Sequence, residues 1–356
     1  MNAIDTRSVA AAPLLFNFSA SFSGGGYKRL FHYARWFDAH GGALFVVHPR
    51  CSSLCSQFPR NHYFVVETSV WSRLRDDCGY LREILTAIPK PALYYSYGIP
   101  VYARYGRVNW FHLSNALPLA HEAVPLRMLE RYKFRLLERR IRRCLGNADV
   151  VSAESEFSLD LLGRELGDKL FVSGNGRDDA LVGERRDTSS GREDVAVVIG
   201  TYRYKALDDA LRVFDMLRVE HPRLKLRIFG PVELVPSDLR RHYGVELAGT
   251  QPSQAVIDAL REARYYISTT LIENSSNADF EGCYLAEEAY ISDIPSHREM
   301  LTDSTVVAIS VPGMVRPMLK VRSGDLNSRM IKSWEDVMCE MLVRYRLAEA
   351  ASQALE

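Results

Sequence analysis

Short apolar runs alternate with amphipathic segments along this chain, in two series separated by one polar stretch. No other feature constrains the fold as much. A strand followed by a helix returns the chain to the same sheet and favours parallel strands. In the first series, strands are expected over 14–18, 43–47, 63–66, 92–95, 108–112, 149–153 and 169–173. Apolar residues at helical spacing mark helices over 27–39, 81–87, 125–145 and 155–165. Residues 178–194 are polar, and 183–194 read as a linker. The second series has strands over 195–200, 224–229, 245–247 and 265–269, helices over 207–220, 253–263 and 280–290, and a last strand over 306–309. A C-terminal helix over 333–351 opens on Ser333, with Asp336 three residues on as its capping partner. The fold class expected is α/β, with parallel sheets and two domains, 1–182 and 195–332. The segment 333–356 is a candidate to cross back to the first. Ligands of such sheets bind beyond the carboxyl ends of the strands.

The chain has 356 residues, more than one typical core uses, which agrees with two domains. Its formal net charge of +1 gives no general case for nucleic-acid binding. Six cysteines are thinly spread; Cys51 and Cys55 have no second pair at metal-ligand distance, so free thiols and no metal are expected. The apolar run 9–16 leads into Asn17 without a cleavage site and reads as a buried strand rather than a signal peptide. No stretch approaches 18 apolar residues, so no membrane span is expected, and the location expected is cytoplasmic.

The chemistry concentrates late in the chain. Glu273 and Glu281 stand eight positions apart, and Asp293-Ile294-Pro295-Ser296-His297-Arg298-Glu299 follows. One carboxylate ends a strand-to-helix loop and the other lies in the next helix. Such a pair can grip two ends of one ligand, as a nucleotide-sugar offers, because a carboxylate accepts from vicinal hydroxyls. The alternative is two solvated acids on a helix surface. Gly200-Thr201-Tyr202-Arg203-Tyr204-Lys205 follows a strand and opens a helix, where backbone N–H groups and cations suit phosphate. Ser23-Gly24-Gly25-Gly26 lets the backbone approach a phosphate or sugar closely, or is a plain turn. Walker, H-E-x-x-H and G-x-S-x-G signatures are lacking.

With these residues in place, the chain resembles the retaining GT-B glycosyltransferases with an E-x7-E motif, a family that includes bacterial mannosyl-, glucosyl- and N-acetylglucosaminyl-transferases. The likeness runs over most of the chain and is strongest over residues 265–299. It implies two Rossmann-like domains facing each other across a cleft. It implies that Glu273 lies by the donor sugar and Glu281 holds the nucleotide ribose. Arg203 and Lys205 would hold the diphosphate with Gly24, Gly25 and Gly26, although Thr201 stands where the family has its Arg. His112 matches a family His that contacts the reacting sugar; the alternative is a core histidine. Asn274, Ser275 and Ser276 replace the usual Gly-Phe-Gly and, with Asn277, are donor-sugar candidates. Thr250 and Gln251 are candidates for the nucleobase. Ala286, Glu287 and Glu288 replace a small-residue Gly-x-Pro run. Asn175 and Gly176 match an interdomain turn, with Gly176 expected at positive φ.

The implied reaction is transfer of a hexose or N-acetylhexosamine from a UDP- or GDP-linked donor, with retention and without metal or cofactor. The implied acceptor is a glycan or lipid-linked saccharide in bacterial envelope polysaccharide, such as O-antigen or capsule. Two rivals stand beside it. One is a catalytically silent nucleotide-sugar-binding or scaffold subunit, motivated by the altered residues 274–276 and 286–288. The other is a GT-B sugar-nucleotide epimerase.

Residues 125–145 carry Arg127, Arg131, Lys133, Arg135, Arg139, Arg140, Arg142 and Arg143. They read as an amphipathic helix with a solvated basic face. The sharper expectation is peripheral contact with the anionic inner face of the cytoplasmic membrane, at about 1 kcal/mol per surface cation.

Overall fold

The first sheet shows what the alternation builds. A computed structural model describes residues 12–68, 79–177, 181, 192–302, 306–327 and 332–353. Residues 183–191 of the linker expected over 183–194, Asp178, Cys78 and the run before Ala12 lie outside these residues. The chain forms two compact units. The first comprises the described residues of Met1–His121, Arg127–Gly176 and Lys332–Glu356; the second, those of Glu122–Leu126 and Arg177–Ile331.

In the first unit, β1 (Leu14–Asn17) leads to helix α1 (Gly24–Ala39), followed by β2 (Leu44–Val47), α2 (Leu54–Gln57) and β3 (His62–Val65). Then come α3 (Gly79–Ala87), β4 (Leu93–Tyr97), β5 (Val108–Leu113), α4 (Met128–Cys144), β6 (Val150–Ala153), α5 (Glu156–Leu162) and β7 (Leu170–Val172). The strands pair in parallel in the order β3-β2-β1-β4-β5-β6-β7. Alternate residues of β1 and β4 feed opposite cores: Phe16, Leu93 and Tyr95 one face, Leu15 and Tyr94 the other. Both faces are covered, which is why these strands read as continuous apolar runs.

The second unit contains β8 (Glu193–Ile199), α6 (Leu207–Glu220), β9 (Lys225–Phe229), α7 (Ser237–Arg240), β10 (Val245–Gly249), α8 (Ser253–Glu262) and β11 (Ala263–Ser268). These are followed by α9 (Asn277–Leu285), β12 (Glu288–Ser292), α10 (Pro295–Arg298), β13 (Val307–Ile309) and β14 (Met318–Val321). The order is β10-β9-β8-β11-β12-β14-β13. β8 opens at Glu193, inside the expected linker.

Three expectations need correction here. The helix expected over 280–290 ends at Leu285, and Tyr290 belongs to β12. The second sheet is not wholly parallel, because β14 runs antiparallel to both β12 and β13. Glu288, in β12, is buried and paired with Lys320 Nζ at 3.0 Å, and it accepts from Tyr290 Oη at 2.8 Å. Glu288, expected within that helix, therefore belongs to a strand whose partner Lys320 arrives about thirty residues later. Gly176 is not at positive φ. A Cβ there would fall 2.6 Å from the Trp334 ring, so close approach explains this glycine.

Trp334 opens the last helix, α11 (Trp334–Gln353), whose Val337, Met338, Met341 and Tyr345 join the core of the first unit. Ser333 and Asp336 cap it reciprocally: Asp336 N donates to Ser333 Oγ at 3.1 Å, and Ser333 N to Asp336 Oδ2 at 2.9 Å. Cys51, Cys55, Cys144, Cys283 and Cys339 are free thiols. Among the described residues, no helix is long and apolar enough to cross a membrane.

Candidate functional site

The strand order of the second sheet reverses between β8 and β11, the switch point where open α/β sheets bind ligands. The loop after β8 carries Arg203 and Lys205, and the loop after β11 carries Glu273 to Ser276. The two loops are stitched together. Leu271 N donates to the Tyr204 carbonyl at 2.7 Å, and the Thr269 hydroxyl to the Lys205 carbonyl at 2.9 Å. Ala206 is held at φ 45, a left-handed conformation uncommon for a residue with a Cβ.

The two loops meet in an ion pair. Lys205 Nζ bonds Glu273 Oε1, which also accepts from Thr270 Oγ1 at 3.3 Å. The side chains are 10% and 16% exposed, so the pair is mostly desolvated but still reachable. Burial opposes the charge on Lys205, but Glu273 and then Asp279 outweigh it and raise the ammonium's pKa. Burial pushes the Glu273 carboxyl up, against the pull of Lys205, and Asp279 adds to that push. Arg203 lies outside this pair; it is exposed and donates to the Pro125 carbonyl at 3.3 Å.

Helix α9 carries the second carboxylate. Glu281 is 7% exposed, far from the solvated surface acid that was its alternative. Ser276 is the N-cap of α9, its Oγ accepting from Asp279 N at 3.1 Å, which commits this candidate sugar ligand to holding the helix. Asn277 Oδ1 accepts from Arg177 at 3.2 Å, and Asn274 is buried. Ser275 is half-buried. Thr250 and Gln251 are exposed beyond β10, with Gln251 Nε2 donating to the Ala248 carbonyl at 2.7 Å.

Two residues that the sequence reading passed over lie beneath the loops. Asp279 is fully buried, accepting from Tyr266 Oη at 2.6 Å and facing His297 Nε2 at 3.0 Å. Burial disfavours its charge, but Lys205, His297 and Tyr266 together hold the carboxyl well below the usual range. His297 could have been found from the Asp293-to-Glu299 segment; Asp279 looked like any helix acid.

The first unit holds the remaining candidates. Gly24, Gly25 and Gly26 form the first turn of α1 rather than a loop. Gly24 has φ +60, and a Cβ on Gly26 would press within 3.2 Å of Ser21 and Tyr97. His112 is wholly buried, stacked on Tyr97 at 4.9 Å, with Nδ1 on Ser152 Oγ at 2.8 Å. Burial first, then Arg29, lowers its pKa to about 4. The imidazole is therefore a neutral core group without surface to meet a sugar, as its alternative reading had it.

A pocket of about 370 Å³ opens beside these residues, where the first sheet's order reverses between β1 and β4. Ser21, Tyr97, Ser114, Asn115, Lys133 and Phe134 are among its lining residues. Of its walls, which come from three strand ends, α1 and α4, only Ser23 and Gly26 belong to a segment that the sequence singles out for a phosphate or sugar.

No protein-family model matches the chain, and no curated protein does. Solved structures do match. Sucrose-phosphate synthase from Thermosynechococcus elongatus aligns over 96% of this chain and all of its own, with a TM-score of 0.66 at 11% identity. HepE of Anabaena, solved with UDP and glucose, aligns over 97% of this chain and 94% of its own, at TM-score 0.57 and 13% identity. The UDP-forming trehalose-phosphate synthase of Burkholderia vietnamiensis covers 97% and 95%, at TM-score 0.57 and 9% identity. The fold is GT-B. The two seven-stranded sheets are the Rossmann-like domains of this GT-B chain, and the Lys205–Glu273 pair sits at the switch point of the second.

Proposed function

We propose that this chain is a retaining glycosyltransferase that takes its sugar from a nucleotide donor bound by the second unit. The Lys205–Glu273 pair at the switch point carries the reading. A diphosphate would draw Lys205 away from Glu273 by offering two charged acceptors for one. Glu273 would then be released to accept from hydroxyls of the donor sugar. Glu281 would hold the ribose, Thr250 and Gln251 would border the base, and Arg203 would add positive charge. Asn274 and Ser275 are the sugar-side contacts, with Asn277 beside them. UDP is the first nucleotide to try, because HepE was solved with it and the Burkholderia enzyme is UDP-forming. GDP is the second.

In the transfer, the bond from the anomeric carbon to the diphosphate oxygen breaks while the acceptor oxygen bonds that carbon on the same face. The acceptor proton passes to the departing phosphate. Lys205 stabilises the charge that develops there, so the chain's own cations can do this work without a metal. The acceptor would occupy the pocket of the first unit, beside Gly24 to Gly26. Hydroxyl and amide groups of Ser21, Ser114 and Asn115 against the rings of Tyr97 and Phe134 suit a saccharide. Its place in envelope polysaccharide synthesis in the cytoplasm remains part of this proposal.

Helix α4 supports a lipid-linked acceptor. Its first turns expose Met128 at 89%, Leu129 at 84% and Tyr132 at 70%, flanked by Arg127, Arg131 and Arg135. Apolar side chains among cations suit the interface of an anionic bilayer. Lys133 and Phe134 of the same helix line the pocket.

The test is turnover. Wild-type protein should hydrolyse a UDP- or GDP-sugar slowly and transfer faster when an acceptor is present, and Glu273→Ala should lose both. A wild type that binds donor but neither hydrolyses nor transfers it across a range of acceptors would favour a scaffold subunit.

A further inference from the structure

His297 faces hydrogen-bond acceptors with both ring nitrogens. Nδ1 lies 2.7 Å from the Ser292 carbonyl oxygen, and Nε2 lies 3.0 Å from Asp279 Oδ2. A carbonyl oxygen can only accept. A neutral imidazole has one N–H and could satisfy one of these contacts with the carboxylate ionised. Both are satisfied at once when both nitrogens carry hydrogen. Side-chain exposures of 1% and 0% close both groups off from bulk solvent. The other oxygen of Asp279 is taken by the Tyr266 hydroxyl.

The pair sits where it can set the position of α9. Asp279 and Gly282 lie on the same face of that helix, three residues apart, and Glu281 stands between them. Gly282 rests directly on the ring of Tyr266, where a Cβ would come within 2.2 Å of it. Tyr266 thus touches α9 twice, through its ring and through its hydroxyl. His297 ties the same carboxylate to the end of β12 through Ser292, whose own hydroxyl donates to the Thr270 carbonyl at 2.6 Å. Thr270 in turn bonds Glu273.

We propose that Asp279 and His297 form a buried, hydrogen-bonded ion pair that fixes helix α9, and with it Glu281, relative to the loop that carries Glu273. They are positioning residues and touch no substrate. The functional half of this proposal rests on the donor-site reading given above. The charged groups around the pair are Lys205, Glu273 and Asp293, the last paired with Arg298, and Tyr204, Tyr266 and Cys283 are the other titratable ones. The cation of His297 and that of Lys205 balance the carboxylates of Asp279 and Glu273, so that no single charge is buried uncompensated.

The experiment uses the full chain with 15N-labelled histidine. The ring resonances of His297 are identified by their loss in His297→Gln. Both ring nitrogens should carry hydrogen in the wild type at pH 7, and in Asp279→Asn the doubly protonated signature should disappear. A wild-type His297 with only one protonated nitrogen at pH 7 overturns the ion pair. UDP-glucose and GDP-mannose titrations then test positioning. Each single variant should bind the preferred donor at least about tenfold more weakly, as outer partners of a site commonly do. The double variant Asp279→Asn/His297→Gln should bind no more weakly than the weaker single variant, because the two side chains act as one unit. Thermal melts confirm that the variants compared are folded. Variants that bind donor as wild type does overturn positioning and leave the donor site standing. If wild-type protein binds neither nucleotide-sugar, the positioning role falls with the donor reading, while the ring nitrogens still decide the ion pair.

Discussion

Arg29 in the first unit and Lys205 in the second bury charge in opposite ways. In the first, Arg29 is fully enclosed and donates to the Ser173 and Gly174 carbonyls, Ser173 Oγ, Asn175 Oδ1 and the Tyr33 hydroxyl. Glu154 stands 3.8 Å away, accepts from the Tyr97 hydroxyl at 3.0 Å and faces His112. Tyr97 stacks on Phe18 at 5.1 Å, which seals the group within an aromatic core. In the second unit, Lys205 and Glu273 keep part of their surface open. An enclosed network can only build shape, because exchanging a partner would strand a charge. A pair at the edge of burial can trade its partner for a ligand. The Arg29 group thus serves rigidity, as the enclosed Asp279–His297 pair of the second unit does, whereas the Lys205–Glu273 pair is left able to exchange a partner.

Breaking the enclosed network should have the largest effect. Arg29→Met leaves Glu154 without its cation and frees several carbonyls, so urea unfolding should report a loss of about 3–5 kcal/mol. The open pair should behave differently. Lys205→Ala or Glu273→Ala should reduce sugar transfer by about 10²–10³-fold, the scale of losing one transition-state donor. Their melting temperatures should change less than that of Arg29→Met, and a larger change would erase the contrast.

His112 gives the contrast a pH signature. Its folded value of about 4 lies below the ordinary 6.5, so its contribution is complete above pH 6.5 and is lost as pH falls toward 4. Stability measured at pH 7 and at pH 4.5 should therefore differ more in wild type than in His112→Asn, by up to about 3 kcal/mol. Equal differences would mean that the imidazole is not buried neutral.

Gly282→Ala should cost about 1–3 kcal/mol, because the new methyl meets the Tyr266 ring, and should weaken donor binding as α9 shifts. Replacing Met128, Leu129 and Tyr132 together by Ser should change stability by about 0.5 kcal/mol or less, since they are exposed. Binding to anionic vesicles should fall nonetheless, and unchanged binding would remove the membrane surface.

The strands and most helices were legible because both faces of each sheet are covered, which writes each strand as an apolar run. Helix α6 runs over Leu207–Glu220, where its spacing placed it. The failures share a cause. Strand β12 was hidden because Glu287 and Glu288 look helical until Lys320 and Arg322 pair with Glu288 across β14, at 3.0 and 3.4 Å. His112 sat at a strand end, but its neighbours Tyr97, Ser152 and Glu154 come from other elements. Asp279 needed His297 and Tyr266 to distinguish it from a surface acid. Each of these depends on contacts between residues far apart in the chain, which spacing does not encode.

On this reading the second unit binds a nucleotide-sugar at the Lys205–Glu273 switch point. A thermal-shift panel of UDP, GDP, ADP, CMP and dTDP sugars tests it most directly, run on wild type, Lys205→Ala and Glu281→Ala. One nucleotide class should stabilise the wild type, by about 2.7 kcal/mol at a hundred times its dissociation constant, and both variants should lose most of that shift. No stabilisation by any donor, or an equal shift in the variants, would mean that this pair does not hold a donor.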